Sequence, residues 1–209
     1  QLYLAEKLRE GDSETARELF GQAAAQERVA AQFALAEMCA AGEGGERDAD
    51  AALRWYRKAA GQGHAGAQNE LGQLLAETNP TEAIKWFRQS AGQNCVDAQF
   101  NLGRRLLEGD GVLVDTEEGV RWIGAAASAH HTEAQYLLGC AFADGVARQR
   151  DPAGAAKWFR KAAAACGRTA QAYAVSASHR HQRVGRDRGI STGSIGSWAG
   201  HGQGAVDPG

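Results

Sequence analysis

Apolar and polar positions along the chain spell one short pattern several times over. The dipeptide Ala-Gln begins at Ala31, Ala67, Ala98, Ala134 and Ala170, and a tryptophan follows at Trp55, Trp86, Trp122 and Trp158. With the alanine counted as zero, position four is Leu35, Leu71, Leu102 and Leu138, and position eight is Cys39, Leu75, Leu106 and Phe142. Positions 0, 4 and 8 share one face of a helix, so each repeat is predicted to open with a helix. Position five is Ala36, Gly72, Gly103 or Gly139. A glycine inside a helix costs up to about 1 kcal/mol against alanine, and close approach of another helix is the expected offset.

The second helix of each repeat is marked at its start. Asp48, Asn79, Asp115 and Asp151 stand seven residues before each tryptophan, where a side-chain oxygen can cap free backbone N–H groups. Pro80 and Pro152 follow two of them, at the first helical position, where proline is tolerated best. Small residues flank the indole: Ala52, Ala83, Gly119 and Ala155 before it, Ala59, Ser90, Ala126 and Ala162 after it. The pattern reads as a bulky buried knob beside flat surface, suited to helix-on-helix packing. Gly61 and Gly92 read as the ends of two of these helices.

Ala and Trp are 24 residues apart in three repeats and 19 in the one that starts at Ala67, which therefore lacks five residues. The register extends upstream through Asp12, Leu19, Ala16 and Ala23, with Gln1, Leu4 and Leu8 on the first-helix positions. The chain thus opens inside a repeat, as expected of a piece of a longer product. Downstream, Ser194 stands where the next tryptophan is due. Residues 1–175 are read as a solenoid of about five repeats, because self-similarity at this period marks stacked units. Residues 176–209, rich in Gly, Ser, Arg and His, are read as a disordered tail. The abruptness of the change also raises a shifted reading frame after about Val175.

Composition narrows the function classes. Only 3 prolines among 209 residues leave helix favoured. No apolar run approaches the roughly 20 residues of a membrane helix, so no membrane insertion is expected. A net charge of −2 argues against a general nucleic-acid binder. Cys39, Cys95, Cys140 and Cys166 form no CxxC pair and lie at no metal-ligand spacing from histidine. They are read as small buried or half-buried thiols; a Cys140–Cys166 disulfide is open to an exported protein but disfavoured by their places on the two helices. His130-His131 falls at a turn, and His179-x-His181 lacks a third ligand. No Ser-x-x-Lys, G-x-S-x-G, H-E-x-x-H or phosphate loop is present. No catalytic residue, cofactor or metal is therefore expected.

AQ-x-x-LG, then GDGV-x-x-D, then A-x-x-W-F-x-K-AA resembles the SEL-one-like repeat family, relatives of tetratricopeptide repeats. The match is densest over Ala98–Trp122 and Ala134–Ala163, and His64 sits where the family often has histidine between repeats. Departures are the short connection before Asn79, Ile123 where an aromatic usually follows tryptophan, and the tail. The resemblance implies an all-α fold, a right-handed α-α superhelix with a concave face. It also implies a non-catalytic scaffold or adaptor that binds another protein or peptide, with roles in signalling, quality control or the bacterial envelope.

If the first helices line that face, positions two and six point at the partner. They hold Phe33 and Glu37, Asn69 and Gln73, Phe100 and Arg104, and Tyr136 and Cys140. The expected binding column is Phe33, Glu37, Asn69, Gln73, Phe100, Arg104 and Tyr136, with Arg104 beside Phe100 as its best pair, because aromatic and Arg side chains dominate interfaces. The aromatics are equally readable as packing residues. The competing function is hydrolysis of the kind credited to a cysteine-rich, β-lactamase-like branch of the family. That branch carries a cysteine pair in each repeat, whereas these four cysteines occupy unlike positions. A third reading is self-association through the open first repeat. Oligomeric state, a monomer included, and compartment, cytoplasmic or periplasmic, stay open.

Overall fold

The computed structural model describes residues 2–9, 11–146 and 150–166. Among them every regular element is a helix. In chain order these are α1 (Leu2–Leu8), α2 (Ser13–Ala25), α3 (Val29–Ala41), α4 (Ala49–Gly61), α5 (Ala65–Leu75), α6 (Pro80–Gly92), α7 (Val96–Glu108), α8 (Thr116–Ser128), α9 (Thr132–Asp144) and α10 (Pro152–Cys166). A compact unit comprises Gln1–Lys161, and the packing below is that of this unit. Of the remainder, only 162–166 are described, so the tail expected over 176–209 lies outside the described residues.

Helices α3, α5, α7 and α9 each begin two residues before Ala-Gln, and α4, α6, α8 and α10 carry the tryptophans, with Leu19 in that place on α2. Each helix packs chiefly against its neighbours in sequence, as in a solenoid whose units cannot bury their own faces alone. The expected N-caps are all present. Asp12, Asp48, Asn79, Asp115 and Asp151 accept from the backbone N–H of Thr15, Ala51, Glu82, Glu118 and Gly154 at 2.8–3.2 Å. Pro80 and Pro152 are the first helical residues of α6 and α10.

The small residue at position five has a definite steric reason. A Cβ on Gly72 would lie 2.7 Å from the Phe87 ring, one on Gly103 2.8 Å from Ile123, and one on Gly139 2.6 Å from Phe159. Each of these intruding side chains is the residue after the tryptophan. Tyr56, Phe87 and Ile123 are 5%, 1% and 1% exposed, whereas Trp55, Trp86, Trp122 and Trp158 are only half-buried. The tryptophan column is therefore not the knob of the core. Its polar N–H explains the placement: Trp86 and Trp122 donate to Glu82 and Glu118 at 3.3 and 3.1 Å. Lys58 and Lys161 lie over Trp55 and Trp158 instead.

The glutamine of Ala-Gln is buried and works across repeats. Gln32, Gln68, Gln99 and Gln135 donate to the carbonyl eight residues earlier, on the preceding helix. Gln62 and Gln93, each seven residues after a tryptophan, donate back to the Gln32 and Gln68 oxygens at 2.8 Å. The corresponding residues after Trp122 and Trp158 are Ala129 and Ala165, and Gln135 Oε1 is a buried acceptor with no partner.

Gly61 and Gly92 are the last residues of their helices, but the left-handed stop comes two residues later. Glu27, Gly63, Asn94 and His130 all have positive φ, 60° to 88°, immediately before the next first helix. The five residues missing from the third repeat divide between helix and connection. Helix α5 has 11 residues where α3, α7 and α9 have 13, and residues 76–79 replace the longer connections 42–48 and 109–115. Those longer connections fold down on the start of the second helix of the repeat before them. A Cβ on Gly44 would strike the Ser13 carbonyl, and one on Gly111 would strike Pro80.

Candidate partner-binding face

The first helices present positions two, three and six side by side, and the structure sorts the expected column. Phe33 is half-buried, stacked on His64 with 4.4 Å between centroids and tilted against Tyr56 at 6.0 Å. Phe100 is likewise half-buried and stacked on His131 at 4.5 Å. Tyr136 tilts against Phe159 at 5.5 Å, with Cys140 one helical turn on. Burial lifts the tyrosine pKa well above the ordinary phenol value and the Cys140 thiol to about 11. That thiol is 6% exposed and protonated at neutral pH, unlike a nucleophile.

Among the polar members, Glu37 accepts from Arg9 at 3.2 Å, and Arg9 also holds Glu43 at 2.7 Å. Gln73 is exposed and donates to Glu70 at 3.2 Å. Arg104 is partly exposed and pairs with Glu108 one turn on, at 3.3 Å. Asn69 departs from the expectation of an exposed contact residue. It is 3% exposed, donates to Glu70 and accepts from Asn101 at 3.1 Å. Glu70 on its own helix and Asn101 on the neighbouring first helix replace the solvent it would otherwise need.

Three participants were missed in the sequence. His64 and His131 are N-caps of α5 and α9, accepting from Ala67 and Ala134 N–H at 3.1 and 3.2 Å. The signal was the phase: each stands three residues before Ala-Gln and 31 after a position-two aromatic. The third is Glu70, at position three. Burial raises its pKa, and Glu37 and Asp97 raise it further against the hydrogen bond from Asn69. The middle of the face is thus an acidic strip that Arg9 and Arg104 flank in sequence.

Among the described residues no group of three His, Cys, Asp or Glu side chains could hold a metal ion, and no helix is long and apolar enough to cross a membrane. Cys39, Cys95 and Cys140 are free thiols. An open hollow beside α2 is lined by Arg17 and residues 44–50, but Arg17 is already bonded to the Glu46 carbonyl.

Repeated hairpins with buried Ala-Gln and a capped second helix are matched by the Sel1 repeat model at residues 3–27, 29–64, 65–95, 96–131 and 132–165. The chain belongs to the Sel1 repeat family. Sel1 repeat proteins typically serve as protein-interaction scaffolds and are generally non-catalytic. A Sel1 repeat protein from Oxalobacter formigenes superposes with TM-score 0.76 at 28% identity, over 81% of this chain and 72% of that one. A protective antigen of uropathogenic Escherichia coli with an SLR fold gives TM-score 0.74 at 32% identity, over 78% of this chain and 37% of that one. An exopolysaccharide production negative regulator of Rhizobium meliloti is 41% identical over 71 residues, 34% of this chain and 26% of the regulator. The chain therefore spans about a quarter of the regulator and just over a third of the antigen.

Proposed function

We propose that this Sel1 array is a non-catalytic scaffold that binds a partner protein or peptide along its first-helix face. The contact residues are Phe33, Glu37, Gln73, Phe100, Arg104 and Tyr136, with buried Asn69 holding Glu70 in place behind them. One observation carries the reading. Helix packing is done by residues that recur in register, whereas this column changes from repeat to repeat and keeps Glu37, Gln73 and Arg104 partly or fully exposed. Selective binding needs such variation on a constant frame, because specificity is a difference between partners. The partial likeness to a regulator and to an antigen suits a binding role, and neither brings a ligand with it.

Hydrolysis has no comparable support. Cys39 and Cys140 are buried thiols on single helices rather than pairs within a repeat. The deciding experiment captures partners with wild type and with Arg104→Glu, then titrates the recovered partner against both purified proteins by calorimetry. Saturable binding that Arg104→Glu weakens at unchanged helicity supports the scaffold. Equal affinity of the two proteins, or turnover of a captured substrate, overturns it.

A further inference from the structure

We infer that His64 is an acid-sensitive latch between the second and third repeats, closed only while its Nδ1 carries no proton. The geometry is specific. Nδ1 accepts from Ala67 N–H at 3.1 Å, and a protonated imidazole, with both nitrogens donating, has no lone pair left for that bond. The same residue holds three helices together. Its ring lies on Phe33 of α3. Its backbone N–H donates to Ala59 O of α4, and its carbonyl accepts from Gln68 N of α5. A proton here would also face the positive end of α5, where a cation is unfavourable.

The surroundings do little to compensate it. On α3 the charged group acting on the ring is Glu37, already paired with Arg9. On α4, Lys58 is turned onto Trp55. On α5, Glu70 is engaged by Asn69 and Gln73. Burial depresses the His64 pKa, with Glu37 opposing. The folded state therefore binds the proton less readily than the unfolded chain. The stability the latch contributes is full above the ordinary imidazole pKa and is lost as pH falls through the depressed folded value.

The homologous His131 is built differently in one respect. It caps α9 and stacks on Phe100 in the same way, but its Nε2 is 3.6 Å from Asp97. That carboxylate stands ready to pair with a protonated ring, and among the described residues His64 has no carboxylate at ion-pair distance. Losing the Nδ1 bond at the junction of repeats four and five would thus leave an ion pair in its place, whereas at the junction of repeats two and three it leaves only the ring stack on Phe33. Phe33 and Glu37 lie on one side of the first junction, Asn69 and Gln73 on the other, so opening it would alter their spacing. That last consequence rests on the docking-face reading; the latch does not.

The test uses the full chain without any partner. Amide exchange at Ala67, corrected for intrinsic rates, is measured at about pH 7.5 and about pH 5 in wild type and in His64→Asn, whose side chain caps without titrating. Wild type should lose about five-fold in protection at Ala67, the equivalent of a lost cap, and the variant should lose none. Unchanged protection at Ala67 while the His64 ring resonances titrate overturns the latch, as does an equal loss in His64→Asn. If the variant does not fold, wild type decides alone: loss of protection at Ala67 should follow the titration of the His64 ring resonances, and a loss that falls outside that titration refutes the proposal. A partner that dissociates in acid while Ala67 stays protected would instead count against the docking-face reading of the junction.

Discussion

Phe33, near the start of the second repeat, lies flat on His64 at its end, the planes 26° apart. The aromatic side chain that looks most like a docking residue is thereby also a brace for the next helix. The contact makes Phe33 and His64 energetically dependent. His64→Ala should cost about 1 kcal/mol through the lost cap. A double-mutant cycle with Phe33→Ala should show about 0.5–1.5 kcal/mol of coupling from the ring pair. Urea unfolding of the four proteins measures both.

Glycines at two sites should respond in opposite directions. Gly103 has Ile123 and the Gly119 carbonyl where a Cβ would go, so Gly103→Ala should destabilise by about 1–3 kcal/mol through overpacking. Gly124, inside α8, has open space around it, and Gly124→Ala should stabilise by about 0.5–1 kcal/mol. Thermal melts of the two variants beside wild type separate them.

Glu70 gives a pH signature of its own. Its folded pKa is raised, so its ionisation weakens the fold, and the penalty grows as pH rises from the ordinary carboxylate range through the raised value. Glu70→Gln should leave stability unchanged at low pH and raise it near neutrality, by less than about 1 kcal/mol because the group is half-exposed and screened. Denaturant midpoints at about pH 4 and about pH 7 test this.

The glutamine ladder predicts a cost that conservation of size would not. Gln62→Ala removes the donor to Gln32 Oε1 on a helix of the same repeat and should destabilise by about 1–3 kcal/mol, the range for stranding a buried acceptor. Natural alanine at Ala129 makes Ala129→Ser the contrasting control, expected to be nearly neutral at this exposed site. Chemical denaturation of both decides.

The helices, their caps and the tight glycine contacts were legible because each follows from a single residue type at a fixed phase. Asp48, Asn79, Asp115 and Asp151 needed only their own side chains and the N–H groups three residues on. The tryptophans misled because Trp86 and Phe87 are adjacent and both apolar. Which one enters the core depends on the indole N–H needing a partner, here Glu82, and on the exact fit against Gly72. The face was less legible still. Asn69 shares its position with exposed-looking aromatics, yet its burial is decided by Asn101, 32 residues on. His64 gave a family resemblance without a role, since the role requires the Phe33 ring on α3, 31 residues earlier.

The two long connections, each seated on the start of the second helix of the repeat before it, give the array a coarser grain than its sequence period. Gly111 pressed against Pro80 ties the fourth repeat to the third, as Gly44 against Ser13 ties the second to the first. Lengthening residues 76–79 to the usual size would fill the place the next loop occupies, so the deletion and the loop are two halves of one joint. Repeats joined in this way open and close together, because local unfolding follows packed blocks rather than sequence boundaries. The array is thus assembled in couplets, and the stack of Phe33 on His64 sits at the boundary between the first two of them.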